Sequence, residues 1–180
     1  MILFVIGGKA RSGKTTFGEL LKDHLRENGY NACLMKITEP LYEYAKNYFY
    51  WDGRDGSKPR EFLQKLGIDI IQKKMGKRDF LLNRLYEDIE VLDNFFDIGI
   101  ITDARLVHEF ESIKEHYKNA ISIKVVRENF TNDLTEEERN HITEVDLDNY
   151  NNFDYIVFNK GMEELDKSAA ELVKDIIGGC

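Results

Sequence analysis

Short apolar runs alternate with amphipathic stretches along most of this chain. The runs ILFVIG (2–7), ACLMKI (32–37), IGIIT (98–102), ISIKVV (121–126) and DYIVF (154–158) have the length and continuity of strands buried on both faces. Between them the apolar spacing becomes helical. A helix is expected over 15–28, with Phe17, Leu20, Leu21 and Leu25 on one side and Gly29 just past its end. Another is expected over 105–117, carried by Val107, Phe110, Ile113 and Tyr117, and a third over 162–177. Alternation of this kind predicts an α/β fold, a parallel sheet of these strands with helices on both faces.

Two connections are longer than a crossover helix requires. Residues 38–97 read as three further helices, over 39–50, 60–75 and 79–96, with the polar turn WDGRDGSKP between the first two. That turn superficially resembles a calcium loop, yet its acidic spacing misses the EF-hand pattern and no bidentate Glu follows. Tyr42, Tyr44, Tyr48, Phe49, Tyr50 and Trp51 are expected to pack against one another rather than stack on a base. The second long connection, 127–150, is polar and dense in charge, and reads as a lid. In it Thr135 is expected to cap a helix with Glu138 completing a capping box, so that Arg139 rides on that helix. His141 is expected to serve structure rather than acid–base chemistry. Nothing in the composition marks a second domain boundary, so one domain over 1–180 is expected.

Composition narrows the function. With 180 residues, 42% of them apolar, the chain can bury one sizeable core. A net charge of −8 argues against a surface that grips DNA or RNA, where Lys and Arg must neutralise phosphates, although a few converging cations still suffice for one nucleotide. No apolar run reaches membrane-spanning length, and Met1 to Gly7 is too short for a signal peptide. A cytoplasmic protein without a membrane partner is expected. The two cysteines, Cys33 and Cys180, show no metal-ligand spacing, and neither a disulfide nor zinc is expected. A homodimer stays open.

The chemistry starts at GKARSGKT, residues 8–15, set between the first apolar run and the first helix. This is a G-x-x-x-x-G-K-[ST] phosphate-binding loop in its proper setting. Gly8 and Gly13 permit the tight turn that aims backbone N–H groups, including those of Arg11, Ser12 and Thr16, at a phosphate. Lys14 supplies a mobile charge for the β and γ phosphates, and the Thr15 hydroxyl is placed to ligate Mg²⁺. As a loop residue, Lys14 is expected to be exposed and to matter little for stability. The third apolar run ends in TDAR, so Asp103 and Arg105 fall at the carboxyl edge of the sheet, where such folds bind ligands. Asp103 there suits Mg²⁺, with capping of the next helix as the plainer alternative.

Four segments together resemble one family: GKARSGKT, KPREFLQKLG at 58–67, DAR at 103–105 followed by EFESIKE, and HITEVDLDNY with FDYIVFNKG beyond it. The chain resembles the phage-type deoxynucleoside monophosphate kinases and their bacterial relatives, within the P-loop nucleoside monophosphate kinases. The resemblance implies a three-layer P-loop NTPase fold with a helical acceptor-binding insertion at 38–97 and a lid at 127–150. It implies ATP and Mg²⁺ as cofactors and a nucleoside monophosphate as acceptor. It places Arg60 and Gln64 on the acceptor helix, Asp103 and Arg105 toward acceptor and metal, and Arg127 and Arg139 in the lid as catalytic cations beside Lys14. A monophosphate acceptor needs no general base, in keeping with the lack of a base motif. Phosphomevalonate and dephospho-coenzyme A kinases, or a non-catalytic nucleotide-binding protein, remain the alternatives. A GTPase switch is set aside because Asn159-Lys160-Gly161-Met162 lacks the Asp that reads guanine.

Overall fold

The computed structural model describes residues 1–127 and 134–178; residues 128–133 of the expected lid, and Cys180, lie outside the described residues. Strands β1 (Ile2–Gly7), β2 (Ala32–Met35), β3 (Ile98–Ala104), β4 (Ala120–Val126) and β5 (Tyr155–Phe158) form one sheet in the order β2-β3-β1-β4-β5. Every pairing is parallel. Phe4 at the centre of β1 stands beside Ile100 on one side and Ile121 on the other.

Side chains alternate across the sheet and so feed two layers of helix. On one face Phe4, Ile6, Ile100 and Ile123 meet Phe17, Leu21 and Leu25 of α1 (Lys14–Glu27) and Leu165, Ala169 and Leu172 of α8 (Met162–Gly178). The other face is covered by α5 (Val107–His116), which buries Phe110 and Ile113 completely. Phe110 lies so close to β1 that a Cβ on Gly7 would fall 2.4 Å from its ring. Gly7 is therefore required by the approach of α5.

The chain divides into two compact units, Met1–Met35 with Val91–Cys180, and Lys36–Glu90. The second unit matches the long insertion read from the sequence. It holds α2 (Glu39–Phe49), α3 (Arg60–Gln64) and most of α4 (Phe80–Leu92). The helix expected over 60–75 keeps α geometry for its first five residues and then widens into a π-helix, Lys65–Lys74. The Met75 N–H accordingly reaches back five residues to the Ile70 carbonyl, at 2.9 Å. Gly67 lets this helix approach α2, since a Cβ there would sit 3.1 Å from Leu41 Cδ1. Packing accounts for most of the aromatic cluster: Tyr42 meets Trp51 edge to face at 5.7 Å, and Phe49 meets Phe62 at 4.5 Å. It does not account for Tyr50, which is 98% exposed and sits at φ 60° as the helix's C-cap.

Several element ends differ from expectation for local reasons. β2 stops at Met35 because the Glu39 and Leu41 amides turn back to the Lys36 and Thr38 carbonyls. β3 runs on to Ala104, which pairs with Gly7 past a register shift, so Asp103 is a strand residue. α4 ends at Leu92, where the Phe95 and Phe96 amides both donate to the Leu92 carbonyl. Among the described residues no helix is long and apolar enough to cross a membrane.

Candidate active site

The loop from Gly8 to Gly13 leaves the carboxyl end of the central strand β1 and delivers the chain into α1. Its path is left-handed at three points: Gly8 (φ 143°), Arg11 (φ 60°) and Gly13 (φ 102°). A Cβ on Gly8 would lie 2.4 Å from the Val125 carbonyl oxygen of β4, so the loop hugs the sheet edge as only glycine allows. Lys14 folds back across the turn, donating to the Gly8 carbonyl at 2.8 Å and the Lys9 carbonyl at 2.6 Å. It is only 7% exposed, which corrects the expectation of an exposed lysine that contributes little to stability: its methylenes lie under the loop while its ammonium braces the turn.

Ser12 is also buried, and among the described residues its hydroxyl has no hydrogen-bond partner. An orphaned hydroxyl costs stability unless something else satisfies it, and in a turn of inward amides that something is an anion. α1 begins without a side-chain cap and without an acidic residue in its first turn, leaving its positive end to the loop. Arg11 and Thr15 are exposed and Thr16 is half-buried. The loop is latched from the far side by Asn159, whose Nδ2 donates to the Ser12 carbonyl at 2.8 Å.

Next to the loop lies the end of β3. Gly18 of α1 packs against Thr102, where a Cβ would come within 2.6 Å of Cγ2, so the start of α1 closes on the strand end that carries Asp103. Capping of α5 is carried by two other carboxylates. Glu109 Oε2 accepts the Arg105 and Leu106 amides at 2.7 and 2.9 Å, and Asp146 Oδ2 accepts the Val107 amide at 2.7 Å. α5 consequently starts at Val107 rather than Arg105, with Leu106 extended.

Burial drives the Glu109 carboxyl up to about 7; the two amides oppose the rise and the Asp103 carboxylate adds to it. Stability tied to this raised value is complete below the ordinary value of 4.5 and is lost as pH climbs through about 7, when a buried charge must form. Glu109→Gln keeps an acceptor and removes the titration. Between about pH 5 and pH 8 the wild-type melting temperature should fall relative to the variant's. Parallel curves would mean that Glu109 titrates as an ordinary carboxylate.

Beyond β4, Leu134 is buried and leads into α6 (Glu136–Asn140). The expected capping box is present: Thr135 Oγ1 accepts the Glu138 amide at 3.2 Å and Glu138 Oε2 accepts the Thr135 amide at 2.8 Å. Arg139 is exposed on this helix, and Arg127 is exposed at the end of β4. His141 is the N-cap of α7 (Ile142–Val145), a structural place as expected. A cavity of about 250 Å³ opens between these segments and the loop, lined by Gly8, Lys9, Ser12, Lys124, Arg127 and Glu144 among others. Lys124 gives its ammonium to the Leu147 carbonyl at 2.8 Å, and burial lowers its pKa while Asp148 opposes that. Arg60 and Gln64 are both half-buried on α3, in the second unit.

Sequence reasoning passed over Glu144 and Asn159. Glu144 is buried in a stretch where neighbouring charges are solvated, and the only signal is its place between Ile142 and Val145. Asn159 was weighed only as the start of a guanine-reading motif; an apolar strand ending in Asn two residues before Gly161 is the signal for a latch, closed by the Gly161 amide on Asn159 Oδ1.

The sequence model for deoxynucleotide monophosphate kinase matches residues 49–169. Among solved structures the chain is similar to a Mycobacterium tuberculosis APS kinase in complex with AMPPNP and APS, at 11% identity and TM-score 0.55, covering 96% of this chain and 95% of that one. It is similar to shikimate kinase from Bacteroides thetaiotaomicron, at 12% identity and TM-score 0.54, covering 98% of each. A sugar kinase from Janibacter sp. HTCC2649 is alike at 12% identity and TM-score 0.55, covering 97% of this chain and 95% of that one. At such identities the likeness establishes a shared P-loop kinase fold.

Proposed function

We propose that this chain, which belongs to the deoxynucleotide monophosphate kinase family, transfers the terminal phosphoryl group of ATP to a nucleoside or deoxynucleoside monophosphate to give the diphosphate. It is a kinase-like phosphotransferase with a P-loop fold. The observation that carries the reading is the loop itself: a cradle closed to any Cβ at Gly8, holding a buried hydroxyl without a partner and a folded-in lysine. Such a cradle fits a phosphate chain and has no evident structural purpose of its own.

In this reading Gly8, Arg11, Ser12, Gly13, Lys14, Thr15 and Thr16 hold the donor, and Lys14 moves from the loop carbonyls to the phosphates. Thr15 and Asp103 would hold Mg²⁺. When bound, Mg²⁺ supplies charge neutralisation on the donor phosphates. Arg127 and Arg139 act on the transferring group, Asp103 and Arg105 face the acceptor in the first unit, and the family resemblance assigns Arg60 and Gln64 of the second unit to the acceptor as well. The acceptor oxygen is already anionic, so the residues position and neutralise rather than abstract a proton.

A coupled ADP-release assay over the common ribo- and deoxyribonucleoside monophosphates tests this, with turnover of at least one expected. Silence with all of them, and turnover of phosphomevalonate or dephospho-coenzyme A instead, would overturn it. Asp103→Asn should depress kcat and raise the Mg²⁺ concentration required, because the shape stays and the charge goes. Arg105→Ala should raise the acceptor KM and leave the KM for ATP nearly unchanged. Equal weakening of both substrates by Arg105→Ala would return that arginine to a purely structural role.

A further inference from the structure

Four of the five residues from Glu144 to Asp148 fasten two loops and one strand of the sheet edge. Glu144 Oε2 accepts the Ala10 amide of the phosphate loop at 2.7 Å, and Glu144 Oε1 pairs with Arg105 Nη1. Asp146 takes the Val107 amide at 2.7 Å, the Leu147 carbonyl takes the Lys124 ammonium at 2.8 Å, and Asp148 pairs with Lys9 at 2.8 Å.

Glu144 is the most buried carboxylate of this set, its side chain only 5% exposed. A buried carboxylate persists where both oxygens are engaged, and here each serves a different element: one the donor loop, the other the β3–α5 turn. Arg105 bonds Glu144 through Nη1 and keeps 26% of its side chain exposed, and the planar fork carries further donors beyond that bond. Without Glu144 a long flexible arginine would have no fixed azimuth, and the Ala10 turn would have no tie to α7. The Ala10–Glu144 bond also ends inside the cavity that Ser12 and Arg127 line.

We infer that Glu144 is a positioning residue: it locks the Arg105 guanidinium and the loop apex at Ala10 into one frame, setting the distance between acceptor phosphate and donor. This rests on the proposed role of Arg105 toward the acceptor. The influence of Glu144 on the acceptor passes through Arg105.

A double-mutant cycle on the full chain tests this, using Glu144→Gln, Arg105→Ala and the pair, assayed with ATP, Mg²⁺ and the best monophosphate acceptor. Glu144→Gln retains an acceptor for the Ala10 amide and loses the charge that orients Arg105. Its acceptor KM should rise on the order of tenfold, and the KM for ATP should stay within about twofold. Because the effect runs through Arg105, the double variant should be no worse than Arg105→Ala alone. Independent, additive losses would overturn the inference, since a general weakening of the fold adds to any other defect. An Arg105→Ala enzyme with an unchanged acceptor KM would instead sink the underlying assignment of Arg105, and the inference with it. Glu144→Asp guards against misfolding of the first variant: it keeps the charge but shortens the reach, and should raise the acceptor KM less than Gln does. A lowered melting temperature with a wild-type acceptor KM in Glu144→Gln would mark Glu144 as a structural tie only.

Discussion

Lys14→Ala should lower kcat by a factor on the order of 10² or more, because its ammonium, carried by the first residue of α1, folds into the turn. The same substitution should also lower the melting temperature, which the sequence alone would not have predicted. The ammonium donates to the carbonyls of Gly8 and Lys9, and truncation strands two acceptors in a nearly buried site. Far-UV circular dichroism should be unchanged, since the sheet and α1 do not depend on that contact. Steady-state kinetics and thermal melts on one preparation decide it. Near-full activity in the variant would remove the loop as the donor site. A lowered melting temperature with unchanged kcat would leave Lys14 as a brace of the turn and nothing more.

Gly8→Ala should reduce kcat/KM for ATP by a factor on the order of 10² or more, through the backbone alone. The new methyl would lie 2.4 Å from the Val125 carbonyl oxygen and 3.0 Å from Ser12 Oγ, at a φ of 143° that a side chain rarely adopts. The obstacle is main chain of a central strand, so the loop must lift off β4 to admit it. Gly13→Ala provides the contrast. Its methyl would meet Asn159 Nδ2 at 2.5 Å, the end of a side chain that can swing away, although φ 102° still costs strain. Gly8→Ala should therefore be the more damaging of the two. Comparable activity in both variants, or a milder defect at Gly8, would show that the loop is not pinned to the sheet edge as described.

Much of the architecture was legible because it depends on local pattern. Continuous apolar runs such as LFVI at 3–6 are explicable only as strands covered on both faces, and all five appear in one parallel sheet. The capping box at Thr135 and Glu138 was readable for the same reason: its partners are three residues apart, and sequence separation equals spatial separation within one turn of helix. Ends of elements were less secure. β3 gained Asp103 and Ala104 through pairing with β1, and the second helix of the insertion widened into a π-helix that its apolar spacing does not distinguish from an α-helix.

The site divides along the same line. By itself the sequence determined that a glycine-bounded loop with a terminal Lys-Thr follows a strand and opens a helix, and that an Asp and an Arg stand at another strand's end. Those are short-range facts. Only the tertiary structure decided that Lys14 is buried and folded back, that Ser12 keeps an unpartnered hydroxyl, and that Glu109 rather than Asp103 caps the turn before α5. It alone joined Ala10 to Glu144 across 134 positions and Ser12 to Asn159 across 147. The physical reason is that burial and long-range hydrogen bonds depend on which elements the sheet order brings side by side, and no periodicity along one strand or helix encodes its neighbour's identity.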